Sequence, residues 1–331
     1  MEDLNMQVLL EFGVKPRRVV KEKSYYICHT DKGIRVVRKS FDTACHIMFQ
    51  HRVKEHLAQL DKPNKKIIRT DSYYCSNTGE PYVNFEDNIY VMTDLFPYKE
   101  SDFGRSDEIE KIIEATAIFH ICARDAKLSD GHTHFAEDDL VGKYKRNITE
   151  LSAIKKKIGI QKRMSDFDVL FLKNYQYYMN DLLTSIEILE KTNLQSYIQK
   201  ARGLGQVCHN LLKEENVFYH NGHLYILGFS HAAIDYSLYD VCSVIQRHVK
   251  DMPKEPLSIH RLMELYHLTN PILAEEVEIL YALLKYPYKF IKICNQYYSR
   301  KRTWTPSVLN NRIQHLIAGQ KEYADFIDAL V

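Results

Sequence analysis

Apolar positions along the chain change their period near residue 95. Upstream of it the runs SYYICHT, IRVVRKS, KKIIRT and NIYVMTDLF are short and rich in β-branched and aromatic residues, which predicts strands of a small antiparallel sheet, with Asp31-Lys32-Gly33 turning between the first two. Between these runs, DTACHIMFQHRVKEHLAQL carries Cys45, Met48, Phe49, Val53, His56, Leu57 and Leu60 at spacings of three and four. That is the stripe of one helix packed on the sheet.

Downstream the period is helical. SDEIEKIIEATAIFHICARD predicts a helix capped by Ser106, with Ile109, Ile112, Ile113, Thr116, Ala117, Phe119 and His120 on its apolar side. A second helix should start at Ser165, because Asp168 three residues on completes a capping box. Its stripe is Phe167, Leu170, Phe171, Tyr178, Leu182, Ile186 and Leu189. The helical pattern breaks at NVFYH and HLYIL, two short β-type runs joined by Asn221-Gly222, a hairpin turn whose two positions both need φ > 0. The reading is an N-terminal lobe over 1–95 and a helical lobe over 96–331 with a hairpin inside it.

Composition narrows the function. A balance of Lys+Arg 45 against Asp+Glu 43 leaves a formal charge of +2, so nothing in the bulk electrostatics points to nucleic acid. Cys28, Cys45, Cys75, Cys122, Cys208, Cys242 and Cys294 form no CxxC pair, which predicts reduced thiols and neither a disulfide framework nor a zinc site. The start MEDLNMQVLLEFGVKPRR lacks the basic region of a signal peptide, and no apolar run nears the ~18 residues of a membrane span, so no membrane insertion is expected. The sequon Asn147-Ile148-Thr149 reads as an exposed helix position. His132-Thr133-His134 reads as a solvent-exposed loop, since no acid or cysteine pattern completes a metal site.

Around the hairpin, His209 precedes Asn216 by seven residues, and Gly228-Phe229-Ser230 follows. A small sheet with one helix, a helical lobe, a loop H-x-x-x-x-x-x-N, a hairpin and an x-F motif make the layout of a protein-kinase-like fold. Over nearly its whole length the chain resembles the CotS-type spore coat proteins, relatives of aminoglycoside and choline phosphotransferases. The residues that carry the resemblance are Gly33 to Arg38, Cys208-His209-Asn210-Leu211 through Glu215-Asn216, Leu227-Gly228-Phe229-Ser230 and Asp240-Val241-Cys242. A C-terminal signature joins them: Tyr286-Pro287-Tyr288-Lys289-Phe290, then Asn295-Gln296-Tyr297-Tyr298 and Trp304. The resemblance implies an α+β, two-lobed fold with a small antiparallel-sheet lobe and a larger helical lobe.

It also implies acids that are missing here. Leu211 stands where an acid would accept or orient the proton of an attacking hydroxyl, and Gly228 where an acid would hold Mg²⁺. Arg38 replaces the strand lysine that would pair with phosphates, while Lys39 should point to the opposite face. Asn216 and a Glu55–Arg38 pair are the pocket remnants expected; His209 and Asp240 are expected to hold the loop. No catalytic residue, no metal and no resident cofactor are expected.

The function this implies is a degenerate, pseudokinase-type coat protein. It would be made in the mother-cell cytoplasm and assembled into the spore coat with other coat proteins, with room for a small-molecule or sugar ligand in the cleft. The alternative is an active ATP- and Mg²⁺-dependent kinase of an amino-alcohol or sugar hydroxyl, with Asp235, Glu214 or Glu215 as rearranged acids. The 23 tyrosines read as ordinary amphipathic side chains.

Overall fold

The computed structural model describes residues 4–60, 68–96, 101–124, 126, 133–136, 139–220, 223–250, 255–299 and 304–331. Five antiparallel strands form the N-terminal sheet: β1 (Pro16–Lys21), β2 (Tyr26–Thr30), β3 (Gly33–Ser40), β4 (Val83–Phe85) and β5 (Asn88–Asp94), in the order β1-β2-β3-β5-β4. Strand alternation gives this sheet two working faces. Val37 and Met92, opposite each other on β3 and β5, pack with Val8 and Leu9 of α1 (Met6–Glu11). Their neighbours Arg38 and Val91 face the other way, where Val91 packs with Ile47 of α2 (Ala44–Gln59) and with Tyr73.

Three expectations change here. KKIIRT does not add a strand to this sheet: within its described part, Arg69 bridges Tyr225 in parallel. The first strand and α1 come from the segment before residue 22, where the pattern was not read as structure. The stripe of α2 is rotated, with Cys45 exposed and His46, Ile47, Gln50 and Lys54 buried beside Phe49, Val53 and Leu57.

The rest of the chain is mainly helical: α3 (Ser106–Cys122), α4 (Leu140–Gly159), α5 (Asp166–Lys191), α6 (Leu194–Gly203), α7 (Leu238–His248), α8 (Ile259–His267), α9 (Ala274–Lys285), α10 (Tyr288–Tyr298), α11 (Pro306–Ala318) and α12 (Gln320–Asp328). Two small pairings interrupt it: β6 (Val207–Cys208) with β9 (Ala233–Ile234), and the expected hairpin of β7 (Val217–His220) with β8 (His223–Ile226). The Asn221-Gly222 turn lies outside the described residues.

Helix starts follow their local chemistry. Ser165 and Asp168 make the full reciprocal box at the head of α5: the Asp168 carboxylate accepts from the Ser165 N–H at 2.8 Å, and the Ser165 hydroxyl oxygen accepts from the Asp168 N–H. Ser106 behaves differently from expectation. It lies inside the first turn of α3, its hydroxyl donates to the Glu255 carbonyl at 3.2 Å, and Arg105 supplies the carbonyl for the Ile109 N–H.

The structure divides into two compact units. The first comprises Met1–Asp102, Glu114–Ala136 and Ala201–Asp240, so it holds the sheet and the loop around the hairpin. The second comprises Phe103–Ile113, Glu137–Lys200 and Val241–Val331, with α5 packed on α4, α9 and α11. Among the described residues no helix is long and apolar enough to cross a membrane.

Candidate functional site

Every residue expected to form the site belongs to the first unit. Its charged centre lies between β3 and α2. The Thr43 hydroxyl caps α2 by accepting from the His46 N–H, which sets the rotation that sends Gln50 and Lys54, one turn apart, inward. Lys54 is 1% exposed; its ammonium stands 2.9 Å from the Asp71 carboxylate, 3.7 Å from the centre of the Tyr73 ring and 5.5 Å from that of Phe229. A buried ammonium is tolerated only with such partners. Tyr73 donates its hydroxyl to the Gln50 amide oxygen at 2.5 Å, and the Gln50 amide nitrogen donates to Asp42 at 2.9 Å.

Arg38 completes this cluster. Burial works against its charge, but the Tyr73 phenol and the Asp71 and Asp42 carboxylates outweigh that and hold the guanidinium charged. For Asp71, burial pushes the carboxyl up, and the Lys54 and Arg38 cations more than reverse it. Two cations therefore share Asp71. The expected Arg38–Glu55 pair is absent from this arrangement: the Glu55 side chain is 58% exposed and lies 3.4 Å from His51. Residues 54 and 55 sit about 100° apart around the helix, so only one of them can face the sheet.

The second part is the loop from Cys208 to Asn216. Asp240, in the first turn of α7, is fully buried; its two oxygens accept from the backbone N–H groups of His209 (2.7 Å) and Asn210 (2.8 Å), and it meets the His120 ring nitrogen at 3.2 Å. His209 accepts from the Leu211 N–H at Nδ1, which leaves Nε2–H to donate to the Leu227 carbonyl at 3.0 Å. Burial lowers its pKa, in keeping with that neutral form. Asn216 is engaged at both ends of its amide: the oxygen accepts from the Lys213 N–H at 2.8 Å and the nitrogen donates to the Leu211 carbonyl at 2.7 Å. The three side chains fix the loop backbone, including Asn210 at φ +58°.

Leu211 and Gly228 stand at the two positions where the sequence resemblance implies acids. Leu211 is half-buried on this loop, and Gly228 has φ +78°, a region glycine enters freely and aspartate tolerates better than most residues. A Cβ at 228 would meet the Asn216 Cβ at 3.7 Å, ordinary contact, so space does not require the glycine. As a divalent-cation site of the phosphotransferase kind the donor set does not fit. Mg²⁺ takes hard oxygens in octahedral geometry, whereas position 228 offers none, Asn216 is engaged with backbone, and the nearby fixed charge of Lys54 has the metal's own sign.

Of the rearranged acids, Asp235 follows β9, is 7% exposed and accepts from the Tyr236 N–H at 2.8 Å. Burial pushes it up to about 7, opposed by its backbone hydrogen bond and by the Asn210 side chain. Glu215 is exposed and paired with Lys213, and Glu214 shares its 3₁₀ turn. His120, Cys208 and Asp240 bring three potential metal ligands within 4.8 Å, a cluster that spacing in the chain could not reveal. His120 and Asp240 hydrogen-bond to each other, whereas burial raises the Cys208 thiol well above its usual value and its sulfur donates to the Asp235 carbonyl at 3.3 Å. His134 stacks on His46 at 3.9 Å between ring centres, while His132 lies outside the described residues.

Sequence reasoning missed Lys54, Asp71 and Tyr73. The available clue was Lys54 at one turn from Gln50 and next to Val53, which is inside the buried arc once the helix is capped at Thr43.

Comparison with known proteins gives the same frame. A family model described as "Spore coat putative kinase YutH" matches residues 6–330. The aminoglycoside phosphotransferase from Alicyclobacillus acidocaldarius superposes with a TM-score of 0.85 at 16% identity, covering 100% of this chain and 96% of the other. A spectinomycin phosphotransferase bound to ADP and spectinomycin gives 0.64 at 10% identity (98% and 97% covered), and an amicoumacin kinase gives 0.60 at 13% (99% and 98%). These likenesses establish a protein-kinase-like fold of the aminoglycoside phosphotransferase type. A search of the curated proteins found no match.

Proposed function

This chain belongs to the spore coat YutH family, and from that premise we propose that it is a coat component that uses a kinase-type body as a binding platform. In this reading it is made in the mother-cell cytoplasm and assembles into the coat against other coat proteins. It carries out no metal-dependent phosphoryl transfer and holds neither ATP nor Mg²⁺ as a resident cofactor. The observation that supports it is where the polar atoms go. Asp240, His209 and Asn216 are directed at the loop's own backbone, and Leu211 and Gly228 leave no acid at the two positions where transfer would need one. Loss of a proton-handling group alone costs ~10²- to 10⁴-fold in rate.

The test is phosphate release from ATP with Mg²⁺ or Mn²⁺, run with amino-alcohols and sugars as acceptors, beside fractionation of spores. The reading expects release at the protein-free background and the chain in the coat fraction. Metal-dependent release that follows an added acceptor would overturn it.

One observation favours a second reading, the rearranged kinase: Asp235, beside the Asn210 side chain, titrates near the pH where a general base works best. Under that reading Asp235→Asn abolishes acceptor-dependent release, and under the first there is none to abolish.

A further inference from the structure

The C-terminal signature that carried much of the family resemblance plays no part in the loop chemistry. Its residues divide by face on α10: Phe290, Ile293, Cys294 and Tyr297 are buried, while Tyr288, Lys292, Asn295, Gln296 and Ser299 recur at helical spacing on the other side. That second stripe is partly exposed, with Tyr288 48% exposed, and it borders buried Ile291. With Lys143 and Asn147 of α4 it lines a groove of about 390 Å³, within the second unit and at the small end of the ~300–1,000 Å³ typical of ligand pockets.

The floor of the groove is built. Asn147 is 8% exposed, not the exposed position its sequon implied, and its amide nitrogen donates to the Tyr286 hydroxyl at 2.7 Å. Tyr286 is held in turn by stacking on Tyr144, ring centres 3.6 Å apart and planes 3° from parallel. Burial pushes the Tyr286 phenol up, so it stays protonated. Its oxygen accepts from Asn147, which leaves its O–H to donate, and the Asn147 amide oxygen has no hydrogen bond among the described residues. The floor thus presents one fixed donor beside one fixed acceptor, the pattern a hydroxylated ring satisfies.

The rim adds charge. Lys143 and Lys292 reach it from different helices, and neither has an acidic partner among the described residues. The nearby acid Glu150 is engaged by the Asn295 amide at 3.0 Å, and the Lys292 ammonium lies 5.4 Å from the centre of the Tyr288 ring. An aromatic ring, amides and two ammonium groups with no acidic partner among the described residues favour a ligand that combines hydroxyls with a negative charge.

We propose that the groove between α4 and α10 binds an anionic saccharide unit, a sugar carrying a carboxylate or phosphate. Its hydroxyls meet Tyr286 and Asn147 and its charge sits between Lys143 and Lys292. This site is independent of the loop at 208–230, so the proposal stands or falls apart from the reading above.

The experiment is an NMR and calorimetric titration of the full chain with glucuronate, glucose 6-phosphate, glucose and inorganic phosphate. We expect glucuronate or glucose 6-phosphate to bind at about 1 mM or tighter at low salt, with glucose and inorganic phosphate each at least ~10-fold weaker. The surface variant Lys143→Ala/Lys292→Ala should lose about tenfold, and Tyr286→Phe, which keeps the stacking ring, a few-fold. The idea fails if neither anionic sugar binds at ~10 mM, if glucose binds as well as glucuronate, if inorganic phosphate matches glucose 6-phosphate, or if the double lysine variant binds as tightly as the parent.

Discussion

The loop at 208–216 and the charged centre under α2 use their buried polar groups in opposite ways. In the loop the polar side chains are directed at backbone: Asp240 accepts from the His209 and Asn210 N–H groups, His209 accepts from the Leu211 N–H, and the Asn216 amide donates to the Leu211 carbonyl. In the charged centre the side chains are directed at one another, with Lys54 on α2 and Asp71 supplying the acid that both cations share. The difference teaches that the loop's shape depends on side chains that satisfy backbone groups, whereas the charged centre depends on side chains that satisfy one another. Asp240 and Asn216 each engage both ends of their polar groups with the loop's own backbone.

Breaking the loop frame should have the largest effect. Asp240→Ala leaves two backbone N–H groups and the His120 ring without their acceptor in a dry interior, and should cost about 3–5 kcal/mol in chemical denaturation. Within the charged centre, Lys54→Met alone should cost about 3 kcal/mol by leaving buried Asp71 only Arg38 as a cation, and Lys54→Met/Asp71→Leu should recover part of that in a double-mutant cycle, Arg38 keeping Asp42. The Asp71 carboxyl is held below its ordinary value, so the pair's contribution is present above pH ~4 and is lost as pH falls through the lowered pKa.

Asp235 runs with the opposite sign. Its folded pKa is raised from 3.8 to about 7, so folding favours the protonated acid, and stability falls as pH rises through that window. Asp235→Asn should flatten the decline and exceed the parent by about 1–4 kcal/mol at pH 8, read from denaturation curves across pH. The smallest effect sharpens the contrast within α2: Glu55→Gln should change stability by less than about 0.5 kcal/mol, because the Glu55 carboxylate is itself largely exposed to solvent.

Much of the frame was legible because it is local. The capping box at Ser165, the hairpin around residue 221 and the spacing from His209 to Asn216 are each set within a few residues. What was hidden depends on rotation and distant contact. One residue along α2 turns a side chain by about 100°, which exchanges Glu55 for Lys54 as the inward group, and Asp71 enters from a segment with no pattern of its own. Asn147 was misplaced for the same reason: its burial comes from Tyr286, 139 residues away.

The most direct test of the account is calorimetric titration of the chain with ATP, with and without Mg²⁺, beside Leu211→Asp/Gly228→Asp. That variant puts acids back into a loop whose backbone already holds φ +78° at 228, at a cost of about 1 kcal/mol. The account predicts no metal-dependent heat in the parent and its appearance in the variant. Metal-dependent ATP binding by the parent, followed by turnover, would contradict it.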